Sequence, residues 1–322
     1  MRLILLIILL LILAFAVVTY WRATARETRI EAAYPPSGTL VTVDGRQVHV
    51  VVEGTGPDLV LIHGAGGNAR DFTHQFTAQL TDRYRVFSVD RPGHGWTDPI
   101  GADHGSVFAA DAATPMAQAR HLAKAVRQLG ADKPLVLGHS YGGSLAMAWA
   151  LEEPASGVLV LSGASMPWPG ELRRYYRFFG SGIGGALGAP LVSAWLTEER
   201  VRASLEGVFD PQPVDPTYYE GAAVPLATRT DSFRINARQV KNLRPNLVEM
   251  SKRYPDITLP IEIVHGTADT TVRPEVHAEP LMQTLGNGQL TLLPGQGHAP
   301  HQTAPQDVNA AIDRLAARAG LR

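Results

Sequence analysis

The chain has 322 residues, 45% of them hydrophobic and 18% charged, which supplies a sizeable core and lies far from the charge-rich pattern of disorder. Its net charge of −1 offers no basic surface to neutralise phosphates, so nucleic acid is excluded as a partner. Cysteine is absent, which removes disulfides, thiolate metal sites and cysteine nucleophiles together.

Residues 3–21 carry no charge. As a helix they would span roughly 28 Å, enough for the hydrocarbon core of a bilayer. A transmembrane anchor is expected over 1–21, with Tyr20 and Trp21 as an interfacial aromatic pair. A cleaved secretory signal is the rival reading, because Ala14, Phe15 and Ala16 resemble a cleavage site; the run is longer than the usual signal core of about 7–15 residues. Residues 22–37 mix charges and end in Pro35-Pro36, as a short tether would. Charge counting sets Arg2 and the terminal amine against Arg22, Arg26 and Arg29, which would keep the domain cytoplasmic. A one-residue N-terminal flank before a long apolar run is instead the pattern of an export signal anchor. The expected location is therefore the cytoplasmic membrane of a bacterium with the domain outside.

From Gly38 the pattern becomes strand-like, with residues 39–43 and 46–53 flanking Asp44-Gly45, a two-residue hairpin turn. A short apolar run at 58–62 leads into the glycine-rich loop His63-Gly64-Ala65-Gly66-Gly67 and a helical stretch to about Leu80. Strands at 85–89, 134–137 and 157–161 then alternate with helices at 116–129 and 141–151. Such alternation implies right-handed crossovers and a mostly parallel twisted sheet flanked by helices. It stops near Ser165 and resumes at about Leu259, leaving an inserted helical segment over 165–255. A strand at 261–265, a helix at 274–285, a strand at 289–293 and a helix from about Pro305 complete the core, which comprises 38–164 and 256–322.

Gly138-His139-Ser140-Tyr141-Gly142-Gly143 lies between an apolar strand and an alanine-rich helix. A serine on such a turn needs strained backbone angles, and small flanking residues leave room for them. The serine is a weak nucleophile without a base and an acid that orients it. Asp269 follows the strand at 261–265 and His298 the strand at 289–293, so both leave the sheet edge from which Ser140 projects. His301 is the rival base, taken instead as packing for the last helix. Asp256 is a rival acid at the wrong end of its strand, and Asp90 in Asp90-Arg91-Pro92-Gly93-His94-Gly95 reads as a turn-pinning carboxylate. Backbone amides of Tyr141 and Ala65, with Gly66 in reserve, are the candidate oxyanion donors. The loop at 63–67 lacks the lysine of a phosphate-binding loop and the spacing of a dinucleotide fold.

Together these motifs resemble the α/β-hydrolase superfamily from Gly38 to the C-terminus, in family order and spacing. The resemblance is greatest to its cap-bearing branch of dehalogenases, epoxide hydrolases, carbon–carbon bond hydrolases and esterases. It implies an α/β-hydrolase fold whose insertion is a cap, and a Ser140, Asp269, His298 triad working without cofactor or metal. Dehalogenases and epoxide hydrolases of that branch use an aspartate nucleophile, whereas this chain has Ser140. Eleven of the 23 aromatic residues fall between Met166 and Pro255, which suggests an apolar pocket roof. Candidate pocket residues are His139, Trp168, Tyr175 and Phe179. The expected activity is hydrolysis of small carboxylic esters bearing apolar acyl or aromatic groups. Carbon–carbon bond hydrolysis, perhydrolysis and acyl transfer share the same triad, and a non-catalytic binding protein shares the scaffold.

Overall fold

The computed structural model describes residues 1–322. Helix α1 (Arg2–Ala33) precedes an antiparallel hairpin, β1 (Thr39–Val43) and β2 (Arg46–Glu53), whose turn residues Asp44 and Gly45 both have positive φ. The remaining strands are β3 (Asp58–Ile62), β4 (Arg85–Val89), β5 (Leu135–His139), β6 (Gly157–Leu161), β7 (Ile261–Gly266) and β8 (Gly288–Leu293). They form one sheet in the order β1-β2-β4-β3-β5-β6-β7-β8, antiparallel at the β1-β2 and β2-β4 pairs and parallel elsewhere. The chain order reverses at β3, so the loops after β3 and β5 part around a crevice at the carboxyl ends of neighbouring strands, where open α/β sheets place their sites.

The strands are apolar on both faces because helices cover both. Leu59 and Leu61, Leu135 and Leu137, and Leu159 and Leu161 point into one cluster with Phe72, Phe76 and Ile312. The intervening Val60, Val136, Val158 and Val160 point into the other, with Leu145, Trp149 and Leu247. Helices α2 (Arg70–Thr73), α3 (Pro115–Gln128) and α4 (Tyr141–Glu152) belong to the first half of the chain. Helices α10 (Ala278–Thr284), α11 (Pro300–Thr303) and α12 (Pro305–Arg318) belong to the last part. The helical stretch expected up to Leu80 is broken into α2 and a 3-10 turn at Thr77–Gln79, yet Phe72, Phe76 and Leu80 keep their spacing of four and are all buried.

Between β6 and β7 lie five helices: α5 (Arg174–Phe179), α6 (Ala189–Trp195), α7 (Glu198–Phe209), α8 (Tyr218–Gly221) and α9 (Thr230–Ser251). They form the helical insertion. The segment after Arg22, expected as a short tether, is helical to Ala33 as the second half of α1. Its physical reason is a docking face, since Thr19, Ala23 and Ile30 fall on one side of the helix and are buried, Ile30 against Ala223 and Leu226. Glu27 accepts the Thr230 amide at 2.6 Å at the start of α9, and Arg26 donates to the Ser193 carbonyl at 2.7 Å. Residues 1–18 by contrast are exposed throughout, so α1 is long and apolar enough to cross a membrane in its first half and anchored to the insertion in its second.

Removal of residues 1–14, which stops short of the Phe15 ring stacked on Trp195, should therefore leave the thermal unfolding midpoint in detergent-free buffer unchanged from that of the full chain in micelles. Removal of 1–34 deletes the Ile30 contact and the cap of α9, a loss of about 2 kcal/mol that should lower the midpoint by on the order of 5 °C. Equal midpoints for the two truncations would show that the docked half contributes nothing.

Candidate active site

Ser140 ends β5 and opens α4 in a single residue, with φ 53° and ψ −119°. That conformation is costly for an L-residue and persists only where its surroundings fix it. Here they do so by close backbone approach. A Cβ on Gly138 would lie 2.1 Å from the Gly142 carbonyl oxygen, and one on Gly142 would lie 2.2 Å from that of Ile62 in β3. No side chain fits at either position.

The Ser140 hydroxyl donates to His298 Nε2 at 2.9 Å, and His298 Nδ1–H donates to Asp269 Oδ2 at 2.7 Å. The structure thus brings together three residues separated by as many as 158 positions. The other oxygen of Asp269 accepts the amides of Thr271 and Val272 at 2.8 and 2.9 Å, so the turn after β7 fixes the carboxylate. His265 Nε2 lies 3.2 Å from Asp269 Oδ2 and donates to the Val272 carbonyl at 2.6 Å. Burial alone would raise the pKa of Asp269, but hydrogen bonds from His265 and His298 outweigh it and hold the carboxyl well below the usual range. Burial lowers the pKa of His298 despite the opposing pull of Asp269, which leaves the imidazole neutral at pH 7 with a free lone pair facing Ser140.

The loop after β3 is tied from two directions. His63 Nδ1–H donates to the Gly64 carbonyl at 2.8 Å while Nε2 accepts the Arg91 amide at 2.9 Å. The Arg91 guanidinium donates to the same Gly64 carbonyl and stacks 3.9 Å over the Tyr141 ring. Ala65 and Tyr141 consequently line one cavity with Ser140. The Gly66 amide is occupied by Asn236 Oδ1 at 2.9 Å. Asp90 holds its turn by accepting from the Ala69 and Trp96 amides and from His49, while Asp256 stands ahead of β7, at the opposite end of that strand from Asp269.

The cavity measures about 360 Å³. Trp168, Tyr176, Leu243 and Val272 give it apolar walls, and Arg173 and Arg273 lie on its lining. Of the candidate pocket residues, Trp168 is there and three are not. Tyr175 and Phe179, one helical turn apart on α5, pack edge-on against each other and against Phe233 of α9 in a partly exposed aromatic cluster of the insertion. Tyr176, next along the helix, takes the cavity face.

His139, too, lies outside the cavity lining. Its Nε2–H donates to the His298 carbonyl at 2.9 Å, its Nδ1 lies 3.7 Å from Asp71 Oδ2, and its ring sits 4.5 Å from that of His301. Asp71 Oδ1 accepts from His301 Nε2 at 3.1 Å and from the Tyr218 hydroxyl at 2.6 Å, which links the insertion to the segment carrying His298. His301 is thus a member of a buried polar group and not simple packing for the last helix. Asp71, His139 and His301 are also the residues that could hold a metal ion. Asp71 bonds to His301 and Tyr218, and His139 to the His298 carbonyl, so these contacts join the insertion, α11 and the His298 backbone. Sequence reasoning missed Asp71 and His265, whose roles depend on contacts across 230 positions in the first case and on ring direction in the second.

Asp71→Ala should lower unfolding stability by about 3 kcal/mol, since it leaves buried His301 and Tyr218 groups without their acceptor. Urea titration checks this, and a change below about 1 kcal/mol would show that the group is not a structural tie.

The Alpha/beta hydrolase family profile matches residues 59–311. An uncharacterised protein of Mycobacterium tuberculosis is 27% identical over 306 residues, which cover 87% of this chain and 81% of that protein. The pimeloyl-[acyl-carrier protein] methyl ester esterase of Nitrosomonas europaea is 25% identical over 83% of this chain and 99% of its own. Among solved structures, a bacterial membrane phospholipase A superposes with a TM-score of 0.67 at 21% identity, covering 98% of both chains. At that identity the likeness speaks for the fold alone.

Proposed function

Since the chain belongs to the alpha/beta hydrolase family, we propose that it hydrolyses carboxylic esters of apolar acyl or aromatic groups through an acyl-enzyme on Ser140. The observation that carries this reading is the run of hydrogen bonds from Ser140 through His298 to Asp269 at 2.9 and 2.7 Å. Serine at the turn, in place of aspartate, directs the chemistry to acyl transfer.

Ser140 Oγ attacks the ester carbonyl carbon while His298 Nε2 takes the hydroxyl proton. The carbonyl oxygen becomes an oxyanion held by the amides of Ala65 and Tyr141. Collapse breaks the ester C–O bond, and the alcohol leaves with the proton from His298. Water then gives a proton to His298 and attacks the acyl carbon, releasing the acid and restoring the Ser140 hydroxyl. Asp269 stays ionised throughout and fixes the tautomer in which Nδ1 carries the proton. The walls formed by Trp168, Tyr176, Leu243 and Val272 suit an apolar acyl or aromatic group. The exposed apolar first half of α1 would hold the domain against a membrane, outside the cytoplasm, by an uncleaved span.

Ser140→Ala should lower turnover of p-nitrophenyl esters by about four orders of magnitude with unchanged circular dichroism. Retention of a tenth of the activity would exclude Ser140 as nucleophile. Specificity should rise from acetate to medium acyl chains and then fall, because each buried methylene contributes about 0.8 kcal/mol until the cavity is filled. A steady decline from acetate upward would contradict an apolar acyl site.

The pH profile follows from His298. Its neutral form is the working base and burial shifts its pKa downwards, so kcat/KM should be full at pH 7 and fall only below about pH 6.5. An acid limb centred above pH 7 would require a histidine pKa raised by its surroundings, the reverse of what burial does here.

A further inference from the structure

Where α1 leaves its exposed apolar half, a groove of about 430 Å³ opens between it and the end of α6. Arg22, Arg26 and Arg29 line it from α1, and Trp21 and Trp195 stand on its walls. The spacings of four and three place the arginines on one helix face, where like charges repel. Their neighbouring carboxylates are engaged elsewhere. Glu27 accepts from Ser193 Oγ and the Thr230 amide, Glu31 pairs with Arg229, and Glu198 and Glu220 pair with Arg202. None of the three arginines forms an ion pair.

Part of this arrangement is structural, since Arg26 donates to the Ser193 carbonyl at 2.7 Å and Arg22 reaches the Ala194 carbonyl at 3.4 Å, capping the end of α6. Each guanidinium has five N–H donors, so capping leaves most of them for another acceptor. Arg22 is further fixed by stacking 4.2 Å over the Trp195 ring, whose indole N–H donates to Thr19. Oriented guanidinium groups without a counterion, beside two tryptophans at the level where an apolar helix meets water, match the chemistry of an anionic headgroup.

We propose that this groove binds the phosphate-bearing headgroup of an anionic membrane phospholipid, with Arg22, Arg26 and Arg29 as the donors. The inference rests on α1 being a membrane span. The site is separate from the cavity of Ser140: the two share no lining residue.

The test uses the full chain in neutral detergent micelles, with native mass spectrometry reading the retention of dioctanoyl-phosphatidylglycerol, dioctanoyl-phosphatidylcholine or inorganic phosphate. The anionic lipid should be held about tenfold more tightly than the zwitterionic one. R22Q/R26Q/R29Q should abolish that preference, and the single change Arg29→Gln, which touches no α6 carbonyl, should weaken it, both with turnover of a soluble ester unchanged. R22K/R26K/R29K should retain part of the preference through charge alone. Equal retention of the two lipids by the natural chain, or undiminished preference in Arg29→Gln, would overturn the proposal. Inorganic phosphate competing as well as the anionic lipid would also overturn it, in favour of a free-anion site. Alkaline carbonate extraction of membranes reads the span separately: release of the chain would remove the anchor itself, whatever the micelle experiment gives.

Discussion

The backbone of Ser140 has to leave a strand and enter a helix within one residue, and the rest of the site is arranged around that constraint. The left-handed φ stores strain of about 1–3 kcal/mol, which the two apolar clusters on either side of the sheet must offset. It also dictates neighbours. Gly142 brings α4 into contact with the Ile62 carbonyl at the end of β3, and this contact sets the loop carrying Ala65 beside the serine. With β5 between β3 and β6 in the sheet, the loops from β7 and β8 approach from the other side with Asp269 and His298. A substitution at Gly138 or Gly142 would accordingly disturb the loop carrying Ala65 as much as Ser140.

Much of this order could be read from the sequence because it is written in local patterns. Apolar runs, most of them beside a glycine or proline, located the strands, and residues with special backbone needs marked Asp44-Gly45 and Gly138 to Gly142. What was not legible depends on the direction in which a ring turns. Nothing in the order of residues distinguishes Tyr175 from Tyr176, yet one packs on Phe233 and the other faces the cavity. His139 shows the same limit, since its place beside Ser140 suggested a pocket wall and its ring instead serves the His298 carbonyl. The helical, docked form of the segment after Arg22 was not legible either, because its polar residues obscured a narrow buried face of Thr19, Ala23 and Ile30.

The insertion is held at two places that bear on function. Through Tyr218 it reaches Asp71 and hence the polar group behind His298, and through Ser193, Trp195 and Thr230 it holds the foot of α1. A single helical unit therefore covers the candidate active site and fixes the orientation of the apolar helix relative to it. That geometry gives the domain a defined attitude towards any membrane in which α1 is seated, unlike a domain on a flexible linker, whose entrance would sample all directions.

On the proposed reading, Ser140 is the nucleophile and His298 its activating base. The most direct measurement is covalent capture with a fluorophosphonate, read by intact mass and by peptide mapping. Rapid addition of one phosphonyl group, located on Ser140, is expected, with labelling suppressed when His298 is replaced by alanine. Absence of an adduct, an adduct on another serine, or labelling that proceeds at full rate without His298 would contradict that reading.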